Sequence, residues 1–357
     1  MQKRVSLKDI AAKAGVSAAL VSYVLNNRMS GRISAATAQK IKEIAGQLNY
    51  STNQLAKSLK TNKTNTIGLI VSDISNPFSA NLARIIENEA EEHQYTTIFG
   101  SSDEDPVKFD KLVRTMLNRK VDGLIISPPA KSETVIESLQ QQDIPLVLLD
   151  RYFPGITTSY VIIDNYAASM EAVNHLIATG RTRIGMITYD SELQHLQERK
   201  NGYIAALKNS GLHLENTWLQ LVGIENNQQH IEDAVRTMLS ANPAVDAILF
   251  GSNKIATSSL KLINSLSLRV PCDLAVICFD HTEMLDLFYS PVTYIKQPLE
   301  EIGQLAVSYL LRNMQDTGTI DTIHLKATLV IQQSTKPFNA LQPANKPPVQ
   351  KTGGANF

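Results

Sequence analysis

From residue 66 onward, short apolar runs alternate with segments whose apolar residues recur every three or four positions. Thr66–Val71, Thr96–Phe99, Leu124–Ser127 and Leu146–Leu149 read as buried strands. Helical periodicity covers Phe78–Glu92, Val107–Arg119 and Glu133–Gln141 between and after them. Strand–helix alternation of this kind predicts a parallel, doubly wound sheet. The pattern then repeats: Thr66-Ile-Gly-Leu-Ile returns as Arg183-Ile-Gly-Met-Ile 117 residues later, and Val121-Asp-Gly-Leu-Ile as Val245-Asp-Ala-Ile-Leu 124 residues later. The repeat predicts two related α/β lobes, with a ligand expected in the crevice where strand ends meet.

The first fifty residues carry only helical signals. Ser6-Leu-Lys-Asp9 has the spacing of an N-cap hydroxyl with an acid three residues on, and the helix it starts places Leu7, Ile10, Ala11 and Ala14 on one face. Gly15 supplies a turn, Val16 fills the gap between helices, and Ser17 caps a second helix, Ala18–Leu25, buried along Val21, Val24 and Leu25. Ser34 caps a third, with Ala38, Ile41, Ile44, Ala45 and Leu48 at helical spacing. Two short helices about a glycine turn, braced by a third, predict a helix-turn-helix whose second helix suits a major groove.

Composition sharpens this division. The 357 residues have zero formal net charge, yet the first 65 hold eleven Lys/Arg against Asp9 and Glu43, leaving +9 there and −9 in the remainder. A basic head on an acidic body points to a polyanion partner for the head. Two cysteines, Cys272 and Cys278, exclude a disulfide framework, and the opening residues show no secretory signal, so a reducing cytoplasm is expected. No segment approaches the roughly 18 apolar residues of a membrane span. The sequence has no glycine-rich phosphate loop with its Lys-Ser/Thr, no His-Glu-x-x-His and no Gly-x-Ser-x-Gly, and its seven histidines are scattered. Enzyme chemistry, a cofactor and a metal centre are therefore not expected. A transport-type binding protein would share the body but not the basic head.

Val5-Ser-Leu-Lys-Asp-Ile-Ala-Ala-Lys-Ala-Gly-Val-Ser17, Val21-Ser-Tyr-Val-Leu-Asn26, Ile33-Ser34 and Leu48-Asn-Tyr50 resemble the headpiece of the LacI/GalR repressor family. The resemblance implies that Ala18, Ala19 and Tyr23 face bases, while Ser17, Ser22, Asn26, Ser34 and Thr37 contact phosphates or the groove wall. Leu7, Lys8 and Arg32 complete the expected set. Relatives commonly carry Arg where this chain has Tyr23, so the bidentate arginine–guanine pair is unavailable. Tyr23 could instead stack or donate one hydrogen bond, and alanine methyls could meet thymine methyls. Asn53, Ala56 and Leu59 match the family's hinge helix, with Thr52 in place of the usual Pro. Leu59 is then expected to wedge into a base step from the minor groove. A flexible linker is the alternative for this stretch.

Ser72-Asp-Ile-Ser-Asn-Pro-Phe78, Asp150-Arg151, Ile163-Asp-Asn165, Arg199-Lys-Asn-Gly-Tyr203 and Cys278-Phe-Asp280 resemble the same family's core, which has a periplasmic-binding-protein fold. The implied whole is an all-α helix-turn-helix headpiece (1–50), a hinge helix and linker (51–65), and an α/β core (66–335) of two doubly wound parallel-sheet lobes. The lobes span about 66–164 plus 296–326 and about 165–291 plus 327–335; residues 336–357 form a disordered tail. Effector contacts are implied at Phe78, Arg199, Asn253 and Asp280, with Asp164 and Ser72. Lys254 stands where relatives usually carry an acid. Arg199 in a surface ion pair, or Asp280 capping a turn, are the alternatives. The expected protein is a homodimeric transcriptional repressor that binds double-stranded operator DNA under control of a small-molecule effector, a sugar or sugar derivative.

Overall fold

The computed structural model describes residues 5–25, 33–50, 63–224, 228–316 and 318–336, and the chain forms two compact units, Met1–Thr64 and Asn65–Phe357. The hinge residues 51–62 and the tail from 337 lie outside the described residues.

The first unit holds α1 (Leu7–Ala14), α2 (Ala18–Leu25) and α3 (Ala35–Gln47). Each begins where a side chain competes for the first backbone groups. The Ser6 N–H donates to the Asp9 carboxylate at 2.8 Å, Ser17 Oγ accepts from Leu20 N–H at 3.2 Å, and Ser34 Oγ accepts from Thr37 N–H at 3.2 Å. Gly15 ends α1 at φ +72°, left-handed backbone in which a side chain would be strained. Ile10, Val21, Val24 and Ile41 are wholly buried and form one small core with Ala11, Ala14, Ala38, Ile44 and Ala45.

The second unit contains two six-stranded sheets. The first has β1 (Thr66–Val71), β2 (Thr96–Ser101), β3 (Gly123–Ile126), β4 (Leu146–Leu149), β5 (Ser159–Ile163) and β11 (Thr322–Leu325), in the order β11-β5-β4-β3-β1-β2. The second has β6 (Ile184–Tyr189), β7 (Leu219–Val222), β8 (Ala247–Phe250), β9 (Ala275–Phe279), β10 (Thr293–Lys296) and β12 (Thr328–Val330), in the order β12-β10-β9-β8-β6-β7. The helices between them are α4 (Pro77–Glu92), α5 (Pro106–Asn118), α6 (Glu133–Gln141), α7 (Asn165–Ala178), α8 (Gln194–Asn209), α9 (Gln228–Ser240), α10 (Asn253–Ser265), α11 (Glu283–Leu287) and α12 (Leu299–Asn313).

The sequence repeat is a structural repeat. β1 and β6 hold the same place in the two orders, as do β3 and β8. Gly68 and Gly185, the shared glycine of the first repeat, each lie under a methionine: a Cβ would meet Met116 Cγ of α5 at 3.3 Å in one lobe and Met238 Sδ of α9 at 3.0 Å in the other. The glycine lets a helix settle directly on the strand.

All strand pairings are parallel except that of β10 with β12. The exception has a topological cause. The chain passes between lobes at Asp164, at Gln297–Pro298 and at Lys326–Ala327. After the first two passages a helix, α7 or α12, carries the chain back along the lobe before the next strand. After the third there is none, so β12 runs opposite to its neighbour. The expected lobe boundaries leave residues 292–295 unassigned and give Lys296 to the first lobe, whereas β10 (Thr293–Lys296) pairs with β9 in the second sheet.

Candidate functional site

In the headpiece, α2 buries Val21 and Val24 and leaves Ala19 and Tyr23 outward, with Ala18 and Ser22 half-buried beside them. Tyr23 is 52% exposed, on the face of α2 away from the headpiece core. Ser17 and Ser34 stand exposed at the starts of α2 and α3, and Ser34 Oγ lies 2.8 Å from Thr37 Oγ1. Lys8 is exposed on α1 and Leu7 half-buried. Asn26, Arg32, Asn53, Ala56 and Leu59 lie outside the described residues.

In the second unit a cavity opens between the lobes, and its wall is built largely from residues just past the strand ends. Ser72 and Asp73 succeed β1, Glu104 comes after β2, Asp150 and Arg151 succeed β4, Ser252 and Lys254 come after β8, and Asp280 succeeds β9. Phe78 and Ser79 come from the first turn of α4, and His195, Leu196 and Arg199 from the start of α8. Strand ends expose backbone and side chains that the sheet no longer engages, which is why such crevices hold ligands.

Arg199 is 3% exposed. Its Nε donates to Asn165 Oδ1 at 2.8 Å and its Nη1 to the Gly251 carbonyl at 2.9 Å, and its Cζ lies 4.1 Å from the Phe279 ring centroid. Asp280 Oδ1 accepts from Gln297 Nε2 at 2.6 Å. Burial pushes the Asp280 carboxyl up, against the opposing pull of the Arg199 charge and the Gln297 hydrogen bond. Asp150 is raised likewise by burial, with Arg151 and Arg199 opposing and Asp280 and Glu104 adding to the rise. Arg151 directs both Nη groups at Glu104, at 2.7 and 2.6 Å, a bidentate pair. His195 is buried, and burial with the charges of Arg151 and Arg199 holds its imidazole well below the ordinary value, so it is neutral. Its Nδ1 has no hydrogen-bond partner.

The lobes also touch across the cavity. Lys254 pairs with Asp73, Asn253 Nδ2 donates to Asn76 Oδ1 at 2.8 Å, and the Tyr152 hydroxyl reaches Glu198 at 3.4 Å. Burial works against the charge of Asp73, yet hydrogen bonds from Lys254 and Ser75 and the charge of the lysine hold its carboxyl below the ordinary range.

Of the residues expected from sequence, Ser72, Phe78, Arg199 and Asp280 share this wall. Asn253, 2% exposed, stands behind it on the contact with Asn76. Asp164 is elsewhere: its Oδ1 accepts Ala167 N–H at 2.8 Å and caps α7, because it is the last residue before that helix. Glu104 and His195 are wall residues that the sequence reading does not single out, and Asp150 and Arg151 are ones it quotes for the resemblance without expecting them to touch the effector. One signal for Asp150 is present: Leu148-Leu-Asp150 after β4 and Cys278-Phe-Asp280 after β9 occupy equivalent places, and both aspartates are left-handed, at φ 64° and 68°. Cys278 is buried beneath this end of β9, and burial with the nearby Asp280 pushes its thiol well up, so it is inert packing. Among the described residues there is no cluster of three or more His, Cys, Asp or Glu able to hold a metal, and no helix long and apolar enough to cross a membrane.

Two family descriptions match the chain: "Bacterial regulatory proteins, lacI family" over residues 6–53, and "Periplasmic binding proteins and sugar binding domain of LacI family" over residues 64–333. The catabolite control protein A of Priestia megaterium is 32% identical, over 93% of this chain and 99% of its own. The ribose operon repressor of Escherichia coli (strain K12) is 30% identical, over 92% of this chain and 98% of its own. The solved lac repressor dimer bound to operator and the anti-inducer ONPF shares the fold, with a TM-score of 0.82 at 24% identity over 94% of this chain and 100% of that one. With matches that span the headpiece and the whole two-lobed core, the chain belongs to the lacI family of bacterial regulatory proteins, and is a transcriptional regulator rather than an enzyme.

Proposed function

We propose that this regulator is a cytoplasmic repressor that binds operator DNA as a homodimer, and that a sugar or sugar derivative held between its lobes sets its operator affinity. The carrying observation is the convergence of buried Arg199 and Asp280 on one interlobe cavity. A carboxylate accepts hydrogen bonds from two hydroxyls and a guanidinium donates in a fixed fork, so the pair suits a polyhydroxyl ligand. Ser72 adds a hydroxyl and Phe78 an apolar face, with Asn253 behind them. A ligand that touches both lobes stabilises the arrangement in which they are closed on it, and shifts the population accordingly. The relatedness to a ribose operon repressor supports a sugar.

For DNA, the outward face of α2 fits a major groove, with Ala18, Ala19 and Tyr23 toward bases and Ser17, Ser22, Ser34, Thr37, Leu7 and Lys8 toward the backbone. One such unit covers few base pairs, which favours two copies on a palindromic site. The two free thiols suit a reducing compartment.

Asp280→Ala tests the cavity. Losing a hydrogen bond to a charged group costs about 1.5–3 kcal/mol, roughly ten- to a hundredfold in affinity. Calorimetry should therefore show weakened effector binding, while fluorescence anisotropy shows unchanged operator affinity in the absence of effector. Normal effector binding by both Asp280→Ala and Arg199→Ala would move the effector site elsewhere.

A further inference from the structure

The chain crosses between the lobes beside β5, β10, β11 and β12, strands at one margin of each sheet. Parting the lobes is therefore a rotation about that margin, and the cavity opens at the side away from it. Two contacts sit well out from the margin, where β1 and β8 end: Lys254 pairs with Asp73, and Asn253 Nδ2 donates to Asn76 Oδ1. In its sheet β1 stands three places from β5, roughly 14 Å at ordinary strand spacing. At that lever arm a rotation of about 15° moves the two sides apart by roughly 4 Å, more than a hydrogen bond survives. The Tyr152–Glu198 contact lies nearer the margin, since the Tyr152 ring packs 4.7 Å from that of Tyr160 on β5.

Local structure gives position 254 no reason to be a lysine. It stands in the first turn of α10, the positive end of a helix, where a cation is disfavoured. The start of α4 meets it from the other lobe, with Asn76 Oδ1 capping Phe78 N–H at 3.1 Å, and two such helix ends repel. Asp73 answers both. Its Oδ1 accepts Ser75 N–H at 2.8 Å, which fixes the carboxylate and turns Oδ2 to Lys254. The neighbouring Asp103, whose charge Asp73 feels, is itself taken by Lys108 on the same lobe. When the lobes part, Lys254 keeps the unfavourable helix end and loses the carboxylate that compensates for it.

We infer that Lys254 and Asp73 form an ionic latch that holds the lobes shut before any effector binds, so that the resting core is the closed arrangement and entry to the cavity waits on the pair breaking. The latch belongs to the effector-free protein and does not depend on which effector follows. The Lys254 side chain is 48% exposed and that of Asp73 18%, so dissolved salt reaches the pair and screens it. Opening therefore becomes more frequent as salt rises.

Ser79 and Leu196 line the cavity from opposite lobes, on α4 and α8, and each is 4% exposed. Introduced singly as Ser79→Cys or Leu196→Cys into full-length Cys272→Ser protein, free of DNA and effector, each thiol reports opening by its rate of alkylation with uncharged iodoacetamide. Cys278 is buried and stays silent. Lys254→Gln should raise both rates by the same factor, up to about fivefold, the worth of an exposed ion pair. Lys254→Glu, which sets like charges face to face, should raise them further, and Lys254→Arg should leave them near the value with lysine. Added salt should speed the reaction with lysine, leave that of Lys254→Gln unchanged and slow that of Lys254→Glu, as screening removes attraction in one and repulsion in the other. Equal rates with lysine and glutamine, or a response to salt of one sign in all three, overturns the latch. Acceleration of a single thiol marks a loosened loop in place of parted lobes, and overturns it as well. His195→Cys, one residue earlier on the same wall, serves in place of Leu196→Cys should that variant not fold.

Discussion

Tyr23 sits where α2 turns its outer face away from the headpiece core, so whatever it does it does to a partner. Tyr23→Arg supplies the fork that a guanine recognises through O6 and N7, and should add about 1–3 kcal/mol of preference for guanine at one position of each half-site. Selection from random duplexes by the two proteins checks this, and an identical consensus would show that the side chain does not face bases. His195 makes a different prediction. Burial and its two arginine neighbours keep the ring neutral in the fold, whereas the unfolded chain takes up the proton as pH falls through the ordinary value of 6.5. The stability it contributes is therefore complete above about that pH and lost below it, by at most about 1.4 kcal/mol per pH unit. Burial acts on His175 in the same direction, while Asp150 and Asp280, raised by burial, act in the opposite one from the ordinary aspartate value of 3.8 upward. The comparison that isolates His195 is His195→Asn against the unaltered chain: between pH 7.5 and 5.5 the variant should lose less of its urea midpoint.

Elements meet in this molecule through small residues at chosen points. On α8, a Cβ on Gly202 would lie 2.3 Å from the Tyr166 carbonyl of α7, so Gly202→Ala must push two helices apart. Overpacking of this kind costs about 1–3 kcal/mol. Gly46, near the end of exposed α3, has nothing within 4 Å and an ordinary φ; Gly46→Ala should stabilise the headpiece by about 0.5–1 kcal/mol. Thermal melts of the two variants should move in opposite directions, and equal shifts would contradict the α7–α8 contact. At this scale the sequence is a good guide. Ala18–Leu25, Thr66–Val71, Leu146–Leu149 and Glu133–Gln141 have the expected limits, and the other elements with expected limits shift by one or two residues at one or both ends. β12 escapes it because three residues carry no period, and because its direction depends on a helix being missing rather than on any residue present.

At the scale of the whole molecule, the partition of charge has a measurable consequence. With eleven Lys/Arg and two acids in the first 65 residues, operator affinity should fall with salt by several units of log–log slope as condensed ions are released. Residues 65–357, which form a compact unit of their own, should fold and bind the effector yet lose the operator, and full operator affinity in that fragment would remove the headpiece from the mechanism. The cavity is only half legible in the sequence. Arg199 and Asp280 lie in stretches with a recognisable wording, but the wall draws on separate strand ends, and the Glu104–Arg151 pair joins residues 47 apart. Nothing local marks such a pair; only the fold brings it together. Asp164, by contrast, lies off this wall and caps α7, a duty its place just before the helix makes legible in the sequence.

The three passages between lobes also set an order in time. A chain grows from its N-terminus, and domains tend to fold as their segments emerge. Here the first lobe is opened early and finished late: α12 and β11, which complete it, are drawn from residues 299–325, after most of the second lobe's elements have been made. A ribosome-bound chain halted near residue 290 would carry a finished headpiece and a first lobe still lacking an edge strand and a covering helix. The headpiece of such a nascent regulator is complete before its sensing cavity is, so effector control arrives only with the last few dozen residues.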